Sequence, residues 1–128
     1  MREEHEFFPT GELEWHPADP GITERVLSRD PDTSTLTRIA RWEPGLETEG
    51  VIRHDYHEEV YLLEGDLTDL TLGRTFHAGD FASRRPGMPH GPYRTDAGCV
   101  MLEIRTAPWK LTARAASSRT PTTCSTKL

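Results

Sequence analysis

The sequence predicts an all-β fold, a sandwich or barrel of jelly-roll type, and three observations carry the prediction. Polar and apolar residues alternate at period two in short runs such as Thr35–Trp42 and Cys99–Arg105, the pattern of strands with one buried face. Ten Gly and ten Pro in 128 residues interrupt these runs at short intervals, which favours many turns over long helices. Aliphatic and aromatic residues make up 34% of the chain, enough at this length for a single core and one domain.

Residues 1–34 place Phe7, Phe8, Leu13, Trp15, Ile22, Val26 and Leu27 among Pro9, Gly11, Pro17, Pro20 and Gly21. The pattern predicts short extended pieces, an arm with strands packed on the body. Thr35–Trp42 is the first clear strand, closed by Glu43-Pro44-Gly45. Val51–His54 continues the alternation, with Ile52 and His54 on one face and Val51 and Arg53 on the other. Glu59–Glu64 is a β-rich run expected to end in a turn at Gly65-Asp66, after which Leu67, Leu70 and Leu72 lead to a second turn at Gly73-Arg74. Thr75–Asp80 ends in a Gly-Asp turn, Phe81–Arg85 is short and strand-like, and Pro86–Pro92 is a rigid loop. Cys99–Arg105 is the final strand of a barrel spanning 35–106.

From Ala107 the composition changes to Ser/Thr with Lys110, Arg114, Arg119 and Lys127 and no acid. This segment, 107–128, has too little apolar content to order itself and is expected to be a largely disordered, mobile tail. It carries +4, leaving −10 on the body for a total of −6. That balance repels phosphate backbones and argues against nucleic acid as a partner. No apolar run approaches the roughly 20 residues of a membrane span, and the acidic start Met1–Glu6 does not resemble a signal peptide. A soluble, cytoplasmic protein without a membrane partner is expected. Cys99 and Cys124 form no CxxC pair and no disulfide is expected between a strand and a tail.

Chemistry concentrates in two stretches, Arg53–Gly65 and Gly79–Pro92. A strand carrying His54, a turn to Glu58 and a later loop presenting His90 supply two imidazoles and a carboxylate. That donor set suits one divalent first-row ion, Fe(II), Zn(II), Mn(II) or Ni(II), with positions left open for substrate or water.

These stretches resemble the two motifs of the cupins, over roughly residues 35–106. In G-x5-H-x-H-x(3,4)-E-x6-G, Gly65, Glu58 and His54 fall on motif positions, and Ile52 stands where the first histidine belongs. In G-x5-P-x-G-x2-H-x3-N, Gly79, Gly87 and His90 match, while Arg85 replaces the proline and Arg94 the asparagine. The wording from Arg85 through Arg94 is similar to small single-domain cupins related to the zinc-binding anti-sigma cupin domain and to diketone- or acetophenone-cleaving dioxygenases. The resemblance implies a single-domain cupin jelly-roll β-barrel with His54, Glu58 and His90 as metal ligands. His57 can replace the absent histidine only across a bulge, because adjacent strand residues point to opposite faces. Otherwise it is a surface histidine ahead of the strand.

Arg85, with Arg84 beside it, can bind an anionic substrate bidentately. Tyr93 can hydrogen-bond a substrate, as can Tyr61. Glu103 shares the parity of Cys99 and Met101 and can point into the barrel as an acid, base or extra ligand; because a buried carboxylate without a partner is costly, it is functional, paired or turned outward. The resemblance implies a metal-dependent oxygenase acting on a small diketone, enol or phenolic ketone, with Fe(II) the favoured ion. A non-redox metal cupin (isomerase, cyclase or decarboxylase) and a non-catalytic metal- or ligand-binding sensory module are the other classes it admits. Cupins commonly pair through an N-terminal strand, and Phe7-Phe8 to Trp15 is apolar enough to predict a homodimer.

Overall fold

The computed structural model describes residues 1–108. The expected mobile tail therefore lies outside the described residues, except for Ala107 and Pro108. The strands are β1 (His16–Asp19), β2 (Ile22–Arg29), β3 (Leu36–Trp42), β4 (His57–Asp69), β5 (Arg74–His77), β6 (Phe81–Arg84), β7 (Tyr93–Arg94) and β8 (Cys99–Thr106). The only helical turn among the described residues is a 3-10 turn at Thr10–Glu12. None of the described helices is long and apolar enough to cross a membrane.

All pairings are antiparallel, in the order β1-β2-β3-β8-β4-β5, with β6 and β7 also paired to β4. The expectation of an all-β jelly-roll fold is met, and the path of strands leaves the barrel open on one side. Period-two alternation fixes which residues face inward. On β3 these are Arg38, Ala40 and Trp42, on β4 Glu58, Val60 and Leu62, and on β8 Cys99, Met101 and Glu103. Register then sorts the interior into layers. Trp42 lies opposite Cys99 and Ala40 opposite Met101, an apolar end, whereas Arg38 lies opposite Glu103, a charged end.

β4 is the organising strand. Its first half pairs with β8 and β6, and its second half with β5 and β7. The turn expected at Gly65-Asp66 is absent: the strand runs through it, with a register shift between Leu62 and Glu64. Gly65 has φ of +84°, and a Cβ there would lie 1.9 Å from the Gly98 carbonyl oxygen. The glycine thus serves a bend and a close backbone crossing within a strand rather than a reversal. Asp66 fastens the same crossing by accepting the N–H groups of Asp96 and Ala97 at 2.9 and 2.8 Å. Chiefly the Asp96 bond holds its pKa below the usual carboxylate value.

The strand expected at Val51–His54 is reduced to one bridge, between Ile52 and His90. Ile52 N–H donates to the His90 carbonyl at 2.8 Å, His90 N–H to the Ile52 carbonyl at 3.0 Å, and Gly87 N–H to the His54 carbonyl at 2.7 Å. The facing segment contains Pro86 and Pro89, which have no N–H to give, so a ladder cannot extend. The parity expected for these residues does hold: Ile52 and His54 are half-buried, Val51 and Arg53 exposed.

The N-terminal arm is fixed to the outside of the sheet. Trp15 packs against two guanidiniums, with Arg25 at 4.2 Å and Arg41 at 4.1 Å from its ring centroid. Arg25 also donates to the Leu13 carbonyl at 2.7 Å.

Candidate metal centre

The charged end of the barrel opens onto a cavity of about 400 Å³ lined by His54, Glu58, His90, Arg38, Arg84, Arg105 and Glu103. Three elements bring its ligand candidates together. His54 sits in the segment before β4, Glu58 near the start of β4, and His90 in the loop between β6 and β7. The Ile52–His90 bridge ties the two histidine segments by main chain alone, so the isoleucine at the first motif position leaves that juxtaposition intact. One ligand atom from each of His54, Glu58 and His90 lies within 4.8 Å of the others.

Each ring is held by what it touches. Tyr56 stacks on His54 at 4.5 Å and an interplanar angle of 13°, and the Arg105 guanidinium lies 5.2 Å over Tyr56. His90 Nδ1 is 2.7 Å from the Tyr93 hydroxyl, which also accepts a hydrogen bond from Arg84 Nη2 at 2.9 Å. His90 Nε2 is buried and has no partner. With Nδ1–H donating to Tyr93, the Nε2 lone pair is free, the arrangement that metal-bound histidines use. Burial, followed by the nearby Arg84, lowers the His90 pKa to about 4. Burial and Arg105 lower that of His54. Both rings are therefore neutral and able to coordinate near neutral pH.

Glu58 is 4% exposed and its Oε1 accepts from Arg84 Nη1 at 3.0 Å. Burial raises its pKa, and Glu103 adds to the rise while Arg84 and Arg105 oppose it. A cation at this carboxylate would offset the desolvation. The free imidazole nitrogen, the neutral rings and the buried carboxylate together fit a divalent ion held by His54, Glu58 and His90.

The other expected residues divide. His57 is not drawn into the cluster: as the first residue of β4 it turns away from Glu58, and its Nε2 lies 3.3 Å from Ser83 Oγ. Arg85 is exposed and lines neither of the two described cavities, whereas Arg84, the last residue of β6, lines both. The one-residue difference follows from strand parity, since Arg84 shares the inward face with Ala82. Tyr93 is buried against His90 and Arg84, bonded to the ligand candidate rather than standing free for substrate. Of the three alternatives for Glu103, functional, paired or outward, the structure shows a buried, paired carboxylate. Arg38 grips it with two bonds of 3.2 and 3.0 Å, and Arg105 adds a third at 3.2 Å. Cys99 is buried, and burial pushes its thiol up to about 12, away from thiolate chemistry.

Sequence reasoning overlooked Arg38, Arg105 and Tyr56. The signal for the first two was present: Arg38 has the parity of Ala40 and Trp42, and Arg105 that of Met101 and Glu103. Charged residues at inward parity announce a polar cavity.

The family model of the ChrR cupin-like domain matches residues 3–109. The chain belongs to this cupin family. No curated protein matches it at a significant level. An RmlC-like cupin of Shewanella frigidimarina is similar in structure with a TM-score of 0.67, at 20% identity over 84% of this chain and 94% of that one. An acetylacetone dioxygenase of Acinetobacter johnsonii superposes with a TM-score of 0.63, at 22% identity over 81% of this chain and 74% of that one. A complex of Rhodobacter sphaeroides SigE with the anti-sigma ChrR gives a TM-score of 0.58, at 19% identity over 73% of this chain and 50% of that one. At these identities the likeness is one of fold, and cupin barrels of this shape accompany more than one activity.

Proposed function

We propose that the chain is a metal-dependent oxygenase acting on a small diketone, enol or phenolic ketone. The observation that carries the reading is the convergence of His54, Glu58 and His90, with the unpartnered His90 Nε2 buried among them. The acetylacetone dioxygenase among the similar structures supports the choice of substrate class. Bound at these three residues, Fe(II) would supply Lewis acidity and a site for O2. Tyr93 holds the His90 ring, and Arg84 restrains Glu58 and Tyr93 at once. Glu103, bonded to Arg38 and Arg105, is not a free base. Ile52, Val60, Leu67 and Met101 form the apolar side of the cavity and limit water beside the reacting atoms. Purified protein reconstituted with Fe(II) should consume O2 with acetylacetone or a hydroxyacetophenone. Metal-loaded protein that consumes none with either sinks the oxygenase reading.

The ChrR cupin-like family match favours one second reading, a metal- or ligand-binding sensory module without turnover. Zn(II) co-purifying in stoichiometric amount, with substrates bound but unchanged, would decide for it. The proposal includes a homodimer formed through the N-terminal arm, where Phe7 is fully exposed. Light scattering that gives a monomer at every concentration refutes that part.

A further inference from the structure

The three guanidiniums of the cavity are not equally committed. Arg38 uses Nε, Nη1 and Nη2 on Glu103 and Glu24. Arg84 spans Glu58 and Tyr93. Arg105 is anchored by one bond from Nη2 to Glu103, and its Nε–H is buried without a partner. That nitrogen stands 3.9 Å from Glu58 Oε2, while His90 Nε2 stands 4.0 Å from Glu58 Oε1. Two unpartnered nitrogens thus flank one carboxylate, and both belong to residues lining the same cavity. A buried donor left unsatisfied destabilises the empty site, and a ligand that accepts from it recovers that loss.

Arg38, Arg84 and Arg105 are ion-paired with Glu24, Glu58 and Glu103, and these pairs leave the Arg105 Nε–H without an acceptor, open to an oxygen of a ligand.

Resting on the metal-centre reading above, we infer that Arg105 is the specificity residue of the cavity: its Nε–H donates to the oxyanion of a ligand bound at the His54, Glu58 and His90 centre. The ligand chemistry is a negatively charged oxygen, carried by an enolate or by a carboxylate. Glu103 fixes the fork and Tyr56 supports its face, so the donor is held in place before the ligand arrives. Tyr56 lies against the guanidinium face and Glu103 holds Nη2, so the buried Nε–H, 3.9 Å from Glu58 Oε2, is fixed beside the ligand cluster.

The test is calorimetric titration of Co(II)-loaded protein with acetylacetone and, separately, with benzoate, for the natural protein and for R105M. Metal affinity is measured independently by chelator competition. R105M is expected to weaken the anionic ligand about tenfold or more while leaving Co(II) affinity within about threefold, because Arg38 still pairs with Glu103. A loss seen with acetylacetone alone identifies an enolate, and a loss seen with benzoate alone a carboxylate. Should R105M not fold, R105K keeps a charge beside Glu103 and removes Nε–H, and it is expected to show the same loss. Equal ligand affinity in natural and variant protein overturns the role of Arg105. Failure of the natural protein to bind Co(II) overturns the metal centre instead.

Discussion

The Tyr93 hydroxyl lies 2.7 Å from His90 Nδ1, and this contact decides which imidazole nitrogen faces Glu58. Tyr93 itself is held by Arg84 at 2.9 Å, and β7 is fastened by the Thr48 N–H donating to the Tyr93 carbonyl at 2.8 Å and the Tyr93 N–H donating to the Thr48 hydroxyl at 2.9 Å. Removing the hydroxyl in Y93F leaves the His90 ring without its anchor and Arg84 Nη2 without an acceptor, while Nη1 keeps its bond to Glu58. The variant is expected to bind Zn(II) or Co(II) about tenfold more weakly, as loss of an outer hydrogen bond to a ligating histidine does. Chelator competition measures it, and unchanged affinity would show that His90 is positioned by the loop alone.

Ile52 stands beside this centre with its side chain lining the cavity and its main chain bridged to His90. Because the bridge uses only backbone atoms, I52H can add an imidazole without disturbing it. Metal affinity is expected to rise about tenfold or more, equivalent to about 1.4 kcal/mol. The Co(II) absorption bands should shift with the change in donor set. A variant that binds metal no more tightly would mean that position 52 does not reach the ion.

The strands were legible where one face is apolar, as on β3 and β8, because alternation is a direct consequence of the pleat. The passage of β4 through Gly65 was not, since a glycine needed for close approach to Gly98 reads the same as a turn glycine. In the site, the spacing of His54, Glu58 and His90 was legible as a pattern. The partnership that Arg38 and Arg105 form around Glu103 depends on register between β3, β8 and β4, which residue type does not reveal. Arg85 was preferred over Arg84 for want of the same information, a single step of parity.

Acid should destabilise the metal-free protein through the two histidines. Each has a folded pKa below the ordinary histidine value of 6.5, His90 at about 4, so the unfolded chain binds more protons than the folded one in this interval. Their contribution is present above about pH 6.5 and is lost as pH falls towards 4. Glu58, raised above the ordinary glutamate value of 4.5, has the opposite sign and blunts the slope. Urea unfolding of metal-free natural protein and H90N between pH 7 and pH 4 isolates the His90 share. The natural protein should lose more stability over the interval, and parallel curves would contradict a depressed His90 pKa.

Glu103 offers the sharpest separation of a structural from a chemical role. Its carboxylate is 4% exposed and receives three hydrogen bonds from Arg38 and Arg105. Replacing it by glutamine leaves Arg38 paired only with Glu24 and leaves Arg105 without its ion-pair partner on β8. Breaking one side of a buried ion pair costs about 3–5 kcal/mol, because the remaining charge stays desolvated. E103Q is therefore expected to lower stability in urea by about 3 kcal/mol while changing Zn(II) affinity less than threefold, since the ligand atoms lie on other residues. A carboxylate acting as base or ligand would behave in the reverse way. E103Q of normal stability that has lost metal binding or turnover would return Glu103 to the reacting centre.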